Sequence, residues 1–264
     1  MLEIRNLNKT FFAGTVNEKP VLRDLSLRLE DGDFVTVIGS NGAGKSTLLN
    51  TVAGTLLPDS GSILLDGNDI TFRPETARAK VIGRVFQDPM IGTAPNMAIE
   101  ENLAMAYRRT KRRTMRCGIR NSERAKYRVL LQSLNLGLES RLNTKVGQLS
   151  GGQRQALTLL MATLCPPRLL LLDEHTAALD PKTAATVLQL SNRLIQEHSL
   201  TTLMVTHNMQ NALEYGNRLI MMHAGRIILD VRGEEKRALT VEALMQKFET
   251  LSGSEFSNDR ALLS

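Results

Sequence analysis

The sequence predicts an α/β fold with a mainly parallel sheet, interrupted by an inserted helical segment. Three observations lead there. The apolar, β-branched run Phe34-Val35-Thr36-Val37-Ile38 enters a glycine-rich loop that opens a helix, the strand–turn–helix unit of a parallel sheet. The alternation resumes at Leu169-Leu170-Leu171-Leu172 and continues in strands expected at 201–206, 218–222 and 226–231. Between the two blocks, from about Met90 to Leu149, apolar residues at helical spacing dominate.

Taken in order, residues 2–7 and 21–29 read as strands, the second alternating through Leu25, Leu27 and Leu29. A polar loop from Phe11 to Pro20 joins them. After the glycine-rich loop, Leu48, Leu49 and Val52 repeat at helical spacing. Pro58-Asp59-Ser60-Gly61 marks a turn before a short strand, Ile63-Leu64-Leu65. Asp66-Gly67 then reads as a hairpin turn. Val81 to Phe86 is a buried strand ending at Gln87, and Ser122 is the expected N-cap of a helix whose stripe is Tyr127, Leu130, Leu131 and Leu134. Asp180-Pro181 combines an N-cap with a proline in the first turn, ahead of Ala184, Val187, Leu188 and Ser191 on one face. Thr240 caps a last amphipathic helix, and 252–264 are expected to fray.

The 264 residues suffice for a sizeable core, and no apolar stretch is long enough to predict a membrane-spanning helix. Met1 to Arg5 alternates as a strand does and lacks the apolar run of a signal peptide. Cys117 and Cys165 have neither metal nor redox spacing, which fits a reducing compartment. A formal charge of +6 admits nucleic acid, an anionic membrane face or a polyanionic ligand without choosing among them. Residues 108–128 carry ten Lys or Arg against one acid, Glu123. That segment reads as a solvated helical face or as a docking surface for lipid headgroups or a partner. Its few aromatics, Tyr107 and Tyr127, argue against nucleic acid.

Gly39-Ser40-Asn41-Gly42-Ala43-Gly44-Lys45-Ser46-Thr47 fits G-x-x-x-x-G-K-S in its required strand–helix context. Glycines let backbone N–H groups converge on phosphate oxygens, and the helix start adds its positive dipole end. Lys45 is placed to meet the β- and γ-phosphates and the Ser46 hydroxyl to meet Mg²⁺. A nucleoside triphosphate ligand follows.

Two further elements narrow the chemistry. Leu149-Ser150-Gly151-Gly152-Gln153-Arg154-Gln155 precedes a helix whose face is Ala156, Leu159, Leu160, Thr163 and Leu164. Its exposed N–H groups and hydroxyl form a second phosphate clamp. The strand Leu169–Leu172 delivers Asp173 and Glu174 at its end. Asp173 can hold the Mg²⁺ shell, and Glu174 can orient and deprotonate a water.

In this order the motifs resemble the nucleotide-binding subunit of an ATP-binding cassette (ABC) transporter, over roughly residues 1–235. The glycine loop is similar to Walker A, Leu149–Gln155 to the signature motif, and Leu169–Glu174 to Walker B with its catalytic glutamate. Ala178-Leu179-Asp180 resembles the D-loop, Gln87 falls at the Q-loop position, and His207 after Leu203-Met204-Val205-Thr206 resembles the switch histidine.

The resemblance implies a P-loop NTPase core with an antiparallel β subdomain and an inserted α-helical subdomain. Residues 1–89 and 165–235 would form the ATP-binding core, 90–164 the helical signature subdomain, and 236–264 a C-terminal helix and tail. It implies a dimer, with a second copy or a homologous cassette subunit, in which each ATP lies between Walker A of one subunit and the signature of the other. Lys45, Ser46, Gln87, Asp173, Glu174 and His207 would then act on one nucleotide, with Ser46, Gln87 and Asp173 around Mg²⁺. Ser150, Gly151 and Gly152 would act on the partner's γ-phosphate. Phe11, by its spacing after Lys9, is expected to stack on adenine, with Phe12 beside it.

Integral membrane permease subunits and a substrate-binding protein complete the implied assembly, at the cytoplasmic face of the membrane. The wording around Gly92-Thr93-Ala94-Pro95-Asn96 and Asp173-Glu174-His175-Thr176 resembles bacterial uptake systems, often those for amino acids. The alternative is a soluble ABC ATPase acting on ribosomes or nucleic acid. Two departures stand out: His175 replaces the usual proline after the catalytic glutamate, and the 108–128 segment is unusually long and cationic.

Overall fold

The structure, a computed structural model, describes residues 1–110 and 118–252; part of the basic segment, Cys117 and the tail expected to fray lie outside these. In chain order the elements begin β1 (Leu2–Phe11), β2 (Lys19–Leu29), β3 (Phe34–Gly39), α1 (Lys45–Ala53), β4 (Ser60–Leu65), β5 (Asn68–Asp69) and α2 (Glu75–Arg78). They continue with β6 (Ile82–Val85), α3 (Ile99–Tyr107), α4 (Asn121–Gln132), α5 (Gly151–Thr163), β7 (Leu169–Asp173) and α6 (Pro181–Glu197). The last are β8 (Thr202–Val205), α7 (Met209–Glu214), β9 (Arg218–His223), β10 (Arg226–Arg232), α8 (Gly233–Arg237) and α9 (Val241–Ser252). The chain divides into two units, Met1–Arg78 with the chain from Leu200 on, and Ala79–Ser199.

The first unit holds two sets of strands. An antiparallel sheet runs β2-β1-β4-β5, joined by the expected hairpin at Asp66 and Gly67, both at positive φ. β1 reaches Phe11, which pairs with Lys19, so the connecting loop is shorter than expected. Register shifts within the β1–β2 pairing hide this extension from any alternation of apolar residues. Pro20 is tolerated inside β2 because β2 is the edge strand.

In the other set, β3 lies between β8 and β9 and runs parallel to both, while β10 returns antiparallel to β9. Every residue of β3 is buried, as a strand covered on both faces requires. Leu48, Leu49 and Val52 of α1 are fully buried, each contributing about 1.5–3 kcal/mol. Thr240 Oγ1 accepts from the Ala243 N–H at 3.2 Å, starting α9 as expected. Leu244 and Phe248 of that helix then close a core formed by Ile38, Met209, Ala212, Leu219, Met221 and Val231.

In the second unit, β6 and β7 pair in parallel from Ile82↔Leu169 to Val85↔Leu172. Helix α5 packs on α3, α6 and β6. Of the predicted stripe Tyr127, Leu131 and Leu134 are buried, while Leu130 is only half-buried. Ser122 is not the cap: α4 begins at Asn121 with Arg120 in the cap position. The Glu123 carboxylate accepts the Arg120 backbone N–H at 2.9 Å, closing the helix from its third residue so that no hydroxyl is needed.

Candidate active site

The phosphate-binding loop belongs to the first unit. β3 ends at Gly39, where a Cβ would run into the Met222 carbonyl far inside contact distance, so only glycine lets the two backbones approach. The Ala43 N–H donates to the Ser40 carbonyl at 3.1 Å, and the Gly225 N–H donates to Ala43 at 3.1 Å, fixing the loop on the β9–β10 turn. Helix α1 starts immediately, the Leu48 N–H donating to Gly44 at 2.8 Å. Its free N–H groups therefore open at the loop.

Lys45 is 5% exposed, and its Nζ donates to the carbonyls of Gly39 at 2.6 Å and Ser40 at 3.0 Å. An ammonium held inside the curl of the loop is fixed where anionic oxygens would approach the N–H groups. Asn41, Gly42 and Ser46 are exposed, while Ser40 and Thr47 are half-buried.

His207 is the second residue after β8, and the Thr206 N–H between them donates to the Val37 carbonyl at 3.1 Å. Asn208 caps α7 by accepting the Asn211 N–H at 2.8 Å. Strand end and helix cap thus hold the half-buried histidine at the same sheet edge as the start of the phosphate loop. Phe11 is half-buried at the end of β1, and Phe12 is 68% exposed, with ring centroids 6.5 Å apart. Both rings remain available for stacking.

The second unit carries the remaining residues. Asp173 ends β7, and Arg84 Nη2 donates to its Oδ2 at 3.3 Å. Glu174 follows in the left-handed region at φ 46°, a conformation that costs a β-carbon residue about 1–2 kcal/mol. Its carbonyl accepts the Ala177 N–H at 2.9 Å, and the resulting turn leads to Asp180, which caps α6 through the Thr183 N–H at 3.1 Å. Gln87 lies exposed beyond β6. His175 is fully inside this unit, with Nε2 2.9 Å from Ser191 Oγ.

Ser150 Oγ accepts the Gln153 N–H at 3.2 Å while the Gln153 side chain accepts the Ser150 N–H at 3.2 Å, a capping box at the start of α5. Ser150 and Gly151 are exposed and Gly152 is buried. A Cβ on Gly152 would strike Thr183 Cγ2, so this glycine lets the N-termini of α5 and α6 meet. Arg154 ties the preceding loop to the helix, donating to Val146 at 3.2 Å, Gly147 at 3.0 Å and Leu149 at 3.1 Å. Gln155, also buried, donates to the Phe86 carbonyl at 3.1 Å, one residue before Gln87.

Sequence reasoning passed over Arg84 and Thr183, and it gave Arg154 and Gln155 no role of their own within the signature-like motif. For Arg84 a signal exists: a charge within the apolar strand Ile82–Val85 demands a partner. For the others none does, since their partners are backbone carbonyls or a glycine remote in sequence.

A glycine loop between buried strand and helix, and a strand ending in two carboxylates, define a P-loop nucleoside triphosphatase. A family model described as ABC transporter matches residues 22–177. The chain is 47% identical over 249 residues to the tyrosine transport ATP-binding protein of Clostridioides difficile, across 94% of this chain and 99% of that protein. It is 35% identical over 230 residues to the spermidine/putrescine import ATP-binding protein PotA of Haemophilus influenzae, spanning 87% of this chain and 57% of PotA. A solved dimeric ATP-binding cassette in a post-hydrolysis state, bound to ADP and Pi, shares the fold. The TM-score is 0.75 at 29% identity, over 88% of this chain and 98% of that one. The chain belongs to the ABC transporter family, and it is an ATP-binding, ATP-hydrolysing cassette.

Proposed function

We propose that this cassette powers the import of a small solute of the amino-acid class, working as a dimer on membrane permease subunits at the cytoplasmic face. The observation that carries this reading is the likeness, along 94% of the chain, to a tyrosine transport ATP-binding protein. The dimeric state of the solved cassette supports the pairing. No described helix is long and apolar enough to cross a membrane, so separate subunits would supply the path. A substrate-binding protein would deliver the solute.

Roles follow from chemistry. Lys45 neutralises charge on the γ-phosphoryl oxygens and His207 offers them a hydrogen bond, assisted by the α1 N-terminus. Glu174, held out of ordinary backbone geometry, orients the attacking water and takes its proton. Ser46, Gln87 and Asp173 offer only hard oxygen donors, a set that fits Mg²⁺. Bound there, Mg²⁺ would neutralise charge between the β- and γ-phosphates. The exposed Ser150 and Gly151, with Gly152, serve a nucleotide held by the partner, and Phe11 or Phe12 stacks on adenine. Within this assembly 1–89 and 165–235 form the ATP-binding core, 90–164 the helical signature part and 236–264 the C-terminal appendage.

The test is capture of the tagged protein from detergent-solubilised cells, with labelled tyrosine uptake measured with and without the gene. A polytopic membrane subunit and lost uptake are expected. Ribosomal proteins or nucleic acid in place of a membrane subunit would overturn the reading. With ATP, Glu174→Gln should accumulate as a dimer on gel filtration; a persistent monomer would contradict the sandwich.

A further inference from the structure

The pair Arg84–Asp173 is set apart by its surroundings. Both side chains are largely withdrawn from water, at 12% and 14% exposure, with Nη2 and Oδ2 3.3 Å apart. Arg84 leaves β6 opposite Leu171, so parallel pairing delivers its guanidinium to the β7 end that carries Asp173. The Phe86 ring supports it, 4.4 Å from the guanidinium carbon to the ring centroid, and a cation over an aromatic face is held by electrostatics as well as contact. Strand, ring and carboxylate fix the cation in place.

We propose that Arg84 is a built-in counter-charge for Asp173, which a divalent cation must share the carboxylate with, so that Arg84 limits how strongly the metal tightens nucleotide binding. This rests on the reading of Asp173 as part of the Mg²⁺ shell. A fixed positive charge beside a metal-binding carboxylate repels the incoming ion and claims one of its acceptor oxygens. At low exposure that repulsion is poorly screened. An arginine that merely oriented Asp173 would act in the opposite sense, and its loss would weaken the metal's contribution.

The experiment measures the affinity of a fluorescent, non-hydrolysable ATP analogue in Mg²⁺ and in EDTA, and takes the ratio as the gain from metal. Arg84→Gln removes the charge while keeping a polar side chain of similar girth. It is expected to raise the gain about tenfold. Arg84→Lys, which keeps the charge, should stay within about twofold of the wild type. Arg84→Met supplies a second neutral variant should the glutamine fold poorly. A gain unchanged or reduced in the folded neutral variants would overturn the proposal. Asp173→Asn should lose most of the gain; if it does not, the reading of Asp173 fails and the inference falls with it.

Discussion

His175 Nε2 lies 2.9 Å from Ser191 Oγ, and the serine spends its own proton on the Val187 carbonyl at 2.8 Å. The serine therefore accepts from the ring, which carries its hydrogen on Nε2. Burial lowers the His175 pKa from 6.5 to about 4, because charging the ring would strand an imidazolium away from water. The unfolded chain takes up its proton at higher pH than the native one does. The stability held by the neutral ring is thus complete above about 6.5 and is lost as pH falls toward 4. Urea unfolding at about pH 7.5 and about pH 4.5 should show the wild type losing about 2–3 kcal/mol more than His175→Gln. Equal losses would show that the ring does not govern the acid limb.

Lys45→Ala removes the ammonium that bridges Gly39 and Ser40. Turnover measured by phosphate release should fall at least about 100-fold, as for loss of any fixed charge opposite a developing anion. Near-normal turnover would rule out this loop as the site of hydrolysis.

Arg78 is buried at 1% exposure and donates to Thr51 at 2.8 Å, Val52 at 2.9 Å, Thr71 at 2.7 Å and Arg73 at 2.9 Å. Two of these carbonyls end α1, where a cation also meets the negative end of the helix dipole. Arg78→Met should cost about 3–5 kcal/mol by urea midpoint, since it leaves several buried acceptors without donors. Arg78→Lys should recover only part, because one nitrogen cannot span the same spread of carbonyls.

Gly152→Ala sets a methyl against Thr183 Cγ2. Lower thermal stability is expected, with Tm restored in good part by adding Thr183→Ser, which removes the opposing methyl. If the two changes simply add, the α5 and α6 N-termini are not locked by this contact.

Much of the fold was legible because its signals are local. β3 is read from a β-branched run, α5 from small residues ahead of an apolar helical face, and α6 from Asp180-Pro181. The same locality misled at Ser122, where a hydroxyl in the right place lost to the Glu123 carboxylate. Motif order supplies candidates for the site, but it gives no hint of Arg84 beside Asp173 or of Arg78 beneath α1. Their partners are fixed by strand register and by backbone carbonyls, which leave no pattern in the chain. The reach of β1 to Phe11 was hidden by bulges for the same reason.

β3 has β8 and β9 as its sheet neighbours, and both lie beyond Thr202. A ribosome adding about 5–20 residues per second needs on the order of 8–30 s to make the roughly 160 residues between. Throughout that interval the nascent chain holds a strand that is apolar but for Thr36 and Gly39, with neither of its sheet neighbours yet made. The strand that carries the phosphate loop is thus among the first segments synthesised, yet about 160 further residues must be made before either neighbour exists. A message cut short before residue 202 would lack both strands that pair with it.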